Sequence, residues 1–476
     1  MKLPSQNNLS IEPKSVLDIR RSPPSPVAGN SSDLNFQHEM INQVDEFDSD
    51  SLMRELGLLD DDDHHSNKSV YPLDLPDLPS FFHSDFETLD SNSNVNFFDL
   101  INQHEHENEI DYRNELIRLT DCFETQSFHL AEVILTELNQ RLRSPVGKAF
   151  HRSAFYFKEA IQSLFNGTIR SFVQSCTSFE IVQVIKAYKT FSTVSPIPMF
   201  SSFTANQTIL DEVNGAMIVH VIDFDIGFGG QWASFLKAVV EKAEARKVNS
   251  PAVRITAVVP EEYDLESRLI RDNLYQFCDD LKLRFEIEFV SIRAFEIACF
   301  KAVKFVSGEK TAVVLSPMIF RRIGSGFVND LRRVSPNVVV CIDNELNGFG
   351  GSSFRKTVID GLELFTAVLE SLEAAKGVGG GDSGGDWMRS VEMFVLLPKI
   401  MAMVEDAAVS PPCRPWREVV GRAGMQPVGM SQFAEFQAEC LVRRVQVRGF
   451  YVTKQQAEMM LCWHDRPIVA TSAWSF

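Results

Sequence analysis

The sequence predicts an α/β fold. A mostly parallel sheet carries helices on both faces, follows an N-terminal α-helical cap, ends in a C-terminal antiparallel hairpin and is preceded by a disordered acidic tail. Three observations predict this. Between residues 218 and 343, strand-like and helix-like hydrophobic periods alternate repeatedly, the pattern of βαβ units. One of those strands, Val219-His220-Val221-Ile222-Asp223, runs into Asp225 and then a glycine turn, Gly227, Gly229 and Gly230, that opens a helix at Trp232. Third, residues 1–110 carry 6 Lys+Arg against 22 Asp+Glu, so that 16 of the 18 net negative charges lie in the tail and about 2 in the remaining 366 residues.

The tail is rich in Ser, Asn, Asp and Pro. It has too little apolar surface to offset chain entropy, so disorder is expected. Two islands within it mix acids with bulky apolar groups, DEFDSDSLMRELGLLDDDD from Asp45 and LPSFFHSDFETLDSNSNVNFFDL from Leu78. Such composition suits segments that order on a partner.

From Asp111 the period turns helical, through Leu116, Leu119, Phe123, Leu130, Val133, Ile134 and Leu138. A second run passes Phe150, Ala154, Phe157, Ile161 and Leu164 to a stop at Gly167. Ile181, Val184 and Ile185 follow, then a helix near Phe203, Ile209, Leu210 and Val213 that completes the cap. Strands are expected at 218–223, 254–259, 284–290, 311–316 and 337–343, with helices between them through Trp232, Phe235, Leu236 and Val239 and through Leu265, Leu269, Leu274 and Phe277. A long helix from Phe354 to Leu372 leads into a glycine-rich loop at 377–386. The last expected strands are 441–448, 458–463 and 467–474, the final pair joined through His464, Asp465 and Arg466.

The glycine turn carries the main chemical question. Asp225, Gly227 and Gly229 match the acid-x-Gly-x-Gly-x-Gly turn of S-adenosylmethionine-dependent methyltransferases, with Gln231 in the third glycine position. Glu261 or Glu262, after the second strand, is placed to hold a cofactor ribose. Against this, glycines there also serve a tight strand-to-helix turn, and a side chain at Gln231 obstructs close backbone approach. His220, flanked by valines, reads as a hydrogen-bonded core histidine. Trp463, His464 and Trp474 could line a pocket, with hairpin packing the plainer role. His129, His151, His220 and His464 show no metal-ligand spacing, so neither metal nor cofactor is expected. Arginine pairs at 321–322, 332–333 and 443–444 occur without a strongly basic domain, which leaves direct DNA binding open. The eight scattered cysteines fit a reducing compartment, and neither a membrane span nor a signal segment is visible.

Three motifs carry a family resemblance: the VHVID strand from Val219; SPIPMFSSFTANQTIL from Ser195; and a terminal set of Trp416 with Gly424 beyond it, Leu461-Cys-Trp463, and Ser472-Ala473-Trp474. The chain resembles the plant GRAS family of scarecrow-like transcription regulators. SPVGKAFHRSAFYFKEAI from Ser144 is most similar to the branch of the hairy meristem proteins and their scarecrow-like relatives. The resemblance implies a disordered tail over 1–110 and one domain over 111–476. That domain divides into a first leucine-rich region near 112–175, a VHIID region near 188–255, a second leucine-rich region near 266–298, a PFYRE region near 309–401 and a SAW region near 404–476. The PFYRE letters survive only as Pro317, Phe354 and Arg355. The implied role is a nuclear, non-enzymatic regulator. It would act as a scaffold for transcription factors, co-repressors or histone-modifying proteins, and would pair with itself or another GRAS protein. Leu116, Leu119, Leu130 and Leu138 are the expected partner face. Leu73-Asp-Leu75-Pro-Asp-Leu78 is similar to a leucine-rich acidic repression motif. The alternative reading is a methyltransferase or another small-molecule-binding Rossmann-like protein.

Overall fold

The computed structural model describes residues 111–167, 178–344, 353–376, 386–409, 415–455 and 457–476. The tail, with Leu73, Leu75 and Leu78, and nearly all of the 377–386 loop lie outside the described residues.

Five parallel strands form the sheet's first part: β1 (Ile218–Asp223), β2 (Ala252–Val259), β3 (Phe285–Ser291), β4 (Lys310–Leu315) and β5 (Val338–Asp343). The remainder is β6 (Gln426–Val428), β7 (Phe450–Gln455), β8 (Glu458–Trp463) and β9 (Arg466–Ser475). Strand order is β3-β2-β1-β4-β5-β9-β8-β7, with β6 against β9; β9 enters antiparallel to β5. Five of the six residues of β1 are buried, the continuous apolar run expected of a strand covered on both sides. Val219 and Val221 pack beneath helices Ile197–Glu212, Gly230–Arg246 and Asp264–Asp280. Ile222 and Phe224 pack beneath Ile292–Ala298, Pro317–Arg322, Phe327–Val334 and Trp416–Arg422.

The cap is larger than its N-terminal helices. Helices 111–124, Phe128–Arg141, Ala149–Asn166 and Ser178–Val194 share a core with Phe354–Lys376, Leu397–Val409, Gln432–Val445 and the antiparallel strands. Within it, buried Arg152 pairs with Glu392 and, at 2.7 Å, with Glu373, while the Tyr156 hydroxyl donates to Glu392 at 2.7 Å. A π-helical turn, Glu392–Leu396, starts at the carboxylate that both groups share.

The strand expected at 441–448 is a correction. Residues 441–445 belong to helix Gln432–Val445, whose cap is the Ser431 hydroxyl accepting from the Ala434 N–H at 3.2 Å. Ala434, Ala438 and Leu441 bury one helical stripe, and Gln446 ends it in a left-handed conformation. The alternation of Arg444-Val445-Gln446-Val447-Arg448 imitates a strand only when the helical run upstream of it is ignored. The strand of this region lies further on, as β7. The β8–β9 link is also shorter than expected, only His464 and Asp465, with His464 at φ +48°.

Candidate functional site

Asp223 ends β1 and is 2% exposed. Its Oδ1 accepts the Asp225 N–H at 2.9 Å and its Oδ2 the Trp232 indole N–H at 2.7 Å, so one carboxyl pins both ends of the glycine turn. Gly227 and Gly229 take φ of +53° and +77°. A Cβ on Gly229 would stand 3.0 Å from Ile270 Cγ2, so that glycine serves close packing against helix Asp264–Asp280. Gly230 begins the following helix, and its surface is exposed. Gln231 is drawn sideways: its side-chain amide donates to Asn206 Oδ1 at 3.1 Å, and its backbone carbonyl accepts from Asn206 Nδ2 at 3.1 Å.

Burial pushes the Asp223 carboxyl up to about 7, despite the two N–H donors that favour its charged form. The unfolded chain would titrate this group near 3.9. Between roughly pH 4 and 7 the native state therefore holds a proton that the unfolded state has released. Stability from this group is full below the lower value and falls as pH rises toward the upper one. Asp223→Asn is expected to remove that slope. The wild-type minus variant difference in melting temperature should shrink from pH 5 to 7 and then stay level; parallel curves would count against the raised carboxyl.

The residues expected around a methyl donor are otherwise engaged. The Tyr263 hydroxyl donates to the Gly227 carbonyl at 2.8 Å, bridging the turn to the end of β2. Glu261 accepts the Arg293 N–H at 3.1 Å, at the start of helix Ile292–Ala298, and Glu262 is exposed. His220 is the core histidine its valine flanks predict. It contacts Glu309 Oε1 at 2.8 Å through Nδ1 and the Thr256 hydroxyl at 2.9 Å through Nε2. Among the described residues no group of three or more His, Cys, Asp or Glu is placed to hold a metal.

The terminal motif residues repeat the Asp223 device. Asp343 ends β5 and accepts the Trp416 indole N–H at 3.2 Å; Arg417 joins Asp343 at 3.3 Å and Glu458 at 2.6 Å. Trp416 meets Trp474 edge-on at 5.9 Å, and the Trp474 N–H donates to the Ser472 hydroxyl at 3.0 Å. Gly424 turns at φ +89° after the Trp416 helix, and Leu461 and Ala473 are fully buried. Trp463 belongs to the cap core and Trp474 to the core beneath the Trp416 helix. Both tryptophans therefore take the packing role, in separate cores, rather than lining one pocket.

The expected leucine face also needs correction. Leu116, Leu119 and Leu138 are fully buried, whereas Leu130 is 47% exposed, and its neighbours Phe128 and Val133 are exposed as well. Leu130 and Val133, three residues apart, therefore share the exposed side of helix Phe128–Arg141, while Phe128 is exposed on its other flank, its ring against Phe165. The sequence reading missed Phe128; its position at the start of an otherwise amphipathic helix was the available signal. Each arginine pair closes a helix C-terminus, at Pro317–Arg322, Phe327–Val334 and Gln432–Val445. Cations there complement the helix dipole.

A cleft of about 260 Å³ opens where strand order reverses between β1 and β4. Crevices beyond strand carboxyl ends at such a reversal are the usual ligand position in open α/β sheets. Its floor is Asp225, Ser316, Pro317 and Ile342; its roof comes from the cap, including Tyr188, Phe191, Phe365, Leu396 and Lys399. Asp225 borders the cleft and is itself exposed. Crowding by protein raises its carboxyl above the ordinary range, against the pull of Lys399 and Arg322. The Tyr188 phenol is pushed up to about 12, by burial first and then by Asp225. Of these residues, Asp225 was singled out from sequence for its turn and Pro317 as a PFYRE letter, and nothing in the sequence joined the two.

Fold and site define a Rossmann-like α/β domain with a helical cap and a tryptophan-locked C-terminal sheet. The family model of the GRAS domain family matches residues 112–475. Scarecrow-like protein 15 of Arabidopsis thaliana is 44% identical, with 94% of this chain and 96% of that protein covered. Scarecrow-like protein 6 of the same plant is 33% identical, covering 76% of this chain and 62% of that protein. The crystal structure of SCL7 from Oryza sativa shares the fold at a TM-score of 0.58 and 22% identity, over 76% of this chain and 99% of that one. The chain belongs to the GRAS domain family, whose scarecrow-like and DELLA members are plant transcriptional regulators. No helix among the described residues is long and apolar enough to cross a membrane.

Proposed function

We propose that this protein is a nuclear transcriptional co-regulator that works as a scaffold, joining DNA-bound transcription factors to co-repressor or histone-modifying proteins. The observation that carries the reading is the outward Phe128, Leu130 and Val133 on a cap helix of a GRAS domain. Leu130 and Val133, at i and i+3 on the exposed side, have the spacing of anchors in helix-face recognition, with Phe128 exposed on the same helix. The acidic islands of residues 1–110 and the leucines at 73, 75 and 78 would supply a second contact, for a co-repressor. Pairing with another GRAS chain would use the same cap helix. The domain division given above and a DNA contact made through partners complete the proposal.

The methyltransferase alternative has less support, because Tyr263 and Gly227 are bonded across the turn and Glu261 caps a neighbouring helix. The reading therefore assigns no catalytic residue and no cofactor.

The test is tagged full-length chain purified from plant nuclei, with bound proteins identified by mass spectrometry. Transcription factors and chromatin-modifying subunits are expected. The double change Leu130→Asp with Val133→Asp should lose them while shifting stability by no more than about 0.5 kcal/mol per site, as exposed substitutions usually do. Recovery of the same partners by the double variant would reject this face. A chain confined outside the nucleus would reject the whole reading.

A further inference from the structure

We propose that the cleft between cap and sheet binds a small, uncharged amphipathic molecule: an apolar body among Phe191, Phe365, Leu396 and Val469, and a hydroxyl head at Asp225. The site shares no residue with the exposed Phe128, Leu130 and Val133, so it goes beyond the scaffold reading and can fail without it.

Position is the first support. The floor lies beyond the carboxyl ends of β1, β4 and β5 at the strand-order reversal, and the roof is contributed by cap helices Ser178–Val194, Ile197–Glu212, Phe354–Lys376 and Leu397–Val409. A ligand there would touch both halves of the domain. Composition is the second. Most of the lining is aliphatic, aromatic or methionine, while the polar groups are few and come from separate segments, among them Tyr188, Ser201, Asp225, Ser316 and Lys399. Apolar walls with a small set of placed polar groups are the ordinary make-up of a small-molecule site. The volume of about 260 Å³ sits just below the usual range, which favours a compact ligand.

Charge selects the head. Asp225 already has Lys399 and Arg322 as compensating cations. A ligand carboxylate would face the like charge of Asp225, and a ligand ammonium would compete with Lys399 and Arg322. A hydroxyl avoids both costs, because it can donate to the Asp225 carboxylate and accept from the Tyr188 phenol.

The full chain would be titrated with N-phenylnaphthylamine, an uncharged dye whose fluorescence rises in apolar surroundings. A saturable rise at micromolar dye is expected, displaced by decanol about tenfold more effectively than by decanoic acid. Ala402→Trp fills the cleft from the cap helix, and Ser201→Phe fills it from a second cap helix. Each should abolish the rise. Asp225→Asn should keep dye binding and narrow the preference for the alcohol. Should a filled variant melt early, the comparison of alcohol with acid on the wild type decides alone. The proposal is overturned by the absence of a saturable rise, by a rise that survives in folded filled variants, or by decanoic acid displacing as well as decanol.

Discussion

Arg254→Met is expected to lower stability by about 3–5 kcal/mol, the usual result of stripping one partner from a buried ion pair. Arg254 stands opposite His220 in the parallel register of β1 and β2. Its guanidinium reaches Glu309 Oε2 at 2.8 Å, Glu286 at 3.1 Å and the Lys304 carbonyl at 3.1 Å. The Glu309 side chain is more buried still, 3% exposed against 8% for Arg254. Remove the arginine and that carboxylate keeps only the His220 ring. Burial lowers the His220 pKa below its usual value, outweighing Glu309, and Arg254 lowers it further. The ring is thus neutral at pH 7, with Nδ1–H donating to Glu309 and Nε2 accepting from Thr256. In the wild type the unfolded chain takes up a proton on this histidine near pH 6.5 while the native state does not, so stability falls on acidification through that value. Without Arg254, a protonated ring becomes the best remaining partner for Glu309. The folded-state value then rises, and the variant's contribution is present at low pH and lost as pH increases. The gap between wild type and variant, read from urea midpoints at unchanged m, should narrow from pH 7.5 to 5.5. Adding Glu309→Gln to the variant should recover part of the loss by removing the orphaned charge. A gap independent of pH, with no recovery in the double variant, would show that Arg254 matters only for packing.

Much of the sheet was legible for one reason. Strands buried on both faces read as unbroken apolar runs, as in Val338-Val-Val-Cys-Ile-Asp343, and the glycine turn marks where the first of them ends. The Arg254 network was not legible. Its members lie 55 and 89 residues apart, and nothing local reveals which charges a parallel register will bring together. The one hint was the presence of an arginine and a histidine inside otherwise apolar strands. The leucine face was misread because helical period tells which side is apolar but not whether the chain itself covers that side. Leu130 is one residue from buried Ala131 and so roughly 100° around the helix from it. That turn places it outside while Leu138 stays in the core. The cleft was the least legible feature, since Asp225, Pro317 and the Ile197, Pro198 and Ser201 of the SPIPMFSSFTANQTIL segment lie in separate motifs and nothing local reveals that they meet.

Gly449→Ala should destabilise the C-terminal sheet by about 3 kcal/mol or more, through two effects that can be separated. Gly449 holds φ +117°, a backbone region that side chains rarely enter. A Cβ there would also lie 2.7 Å from Trp463 Cζ3 and 2.9 Å from Cη2, far inside contact distance. The indole has little room to retreat. It is 3% exposed, meets Phe450 edge-on at 4.8 Å and belongs to the core shared with the cap. The Gly449 carbonyl also accepts the His464 N–H at 2.9 Å, so displacing residue 449 disturbs the β8–β9 turn. Gly424→Ala supplies the strain-only control, with φ +89° but nothing nearer than 3.7 Å, the end of the Arg332 side chain. Its cost should stay within roughly 1–3 kcal/mol. Combining Gly449→Ala with Trp463→Leu removes the ring atoms that clash, so the two losses should sum to less than additive. Strict additivity in urea unfolding would mean that backbone strain alone fixes this glycine and that the tryptophan ring does not require its absent side chain.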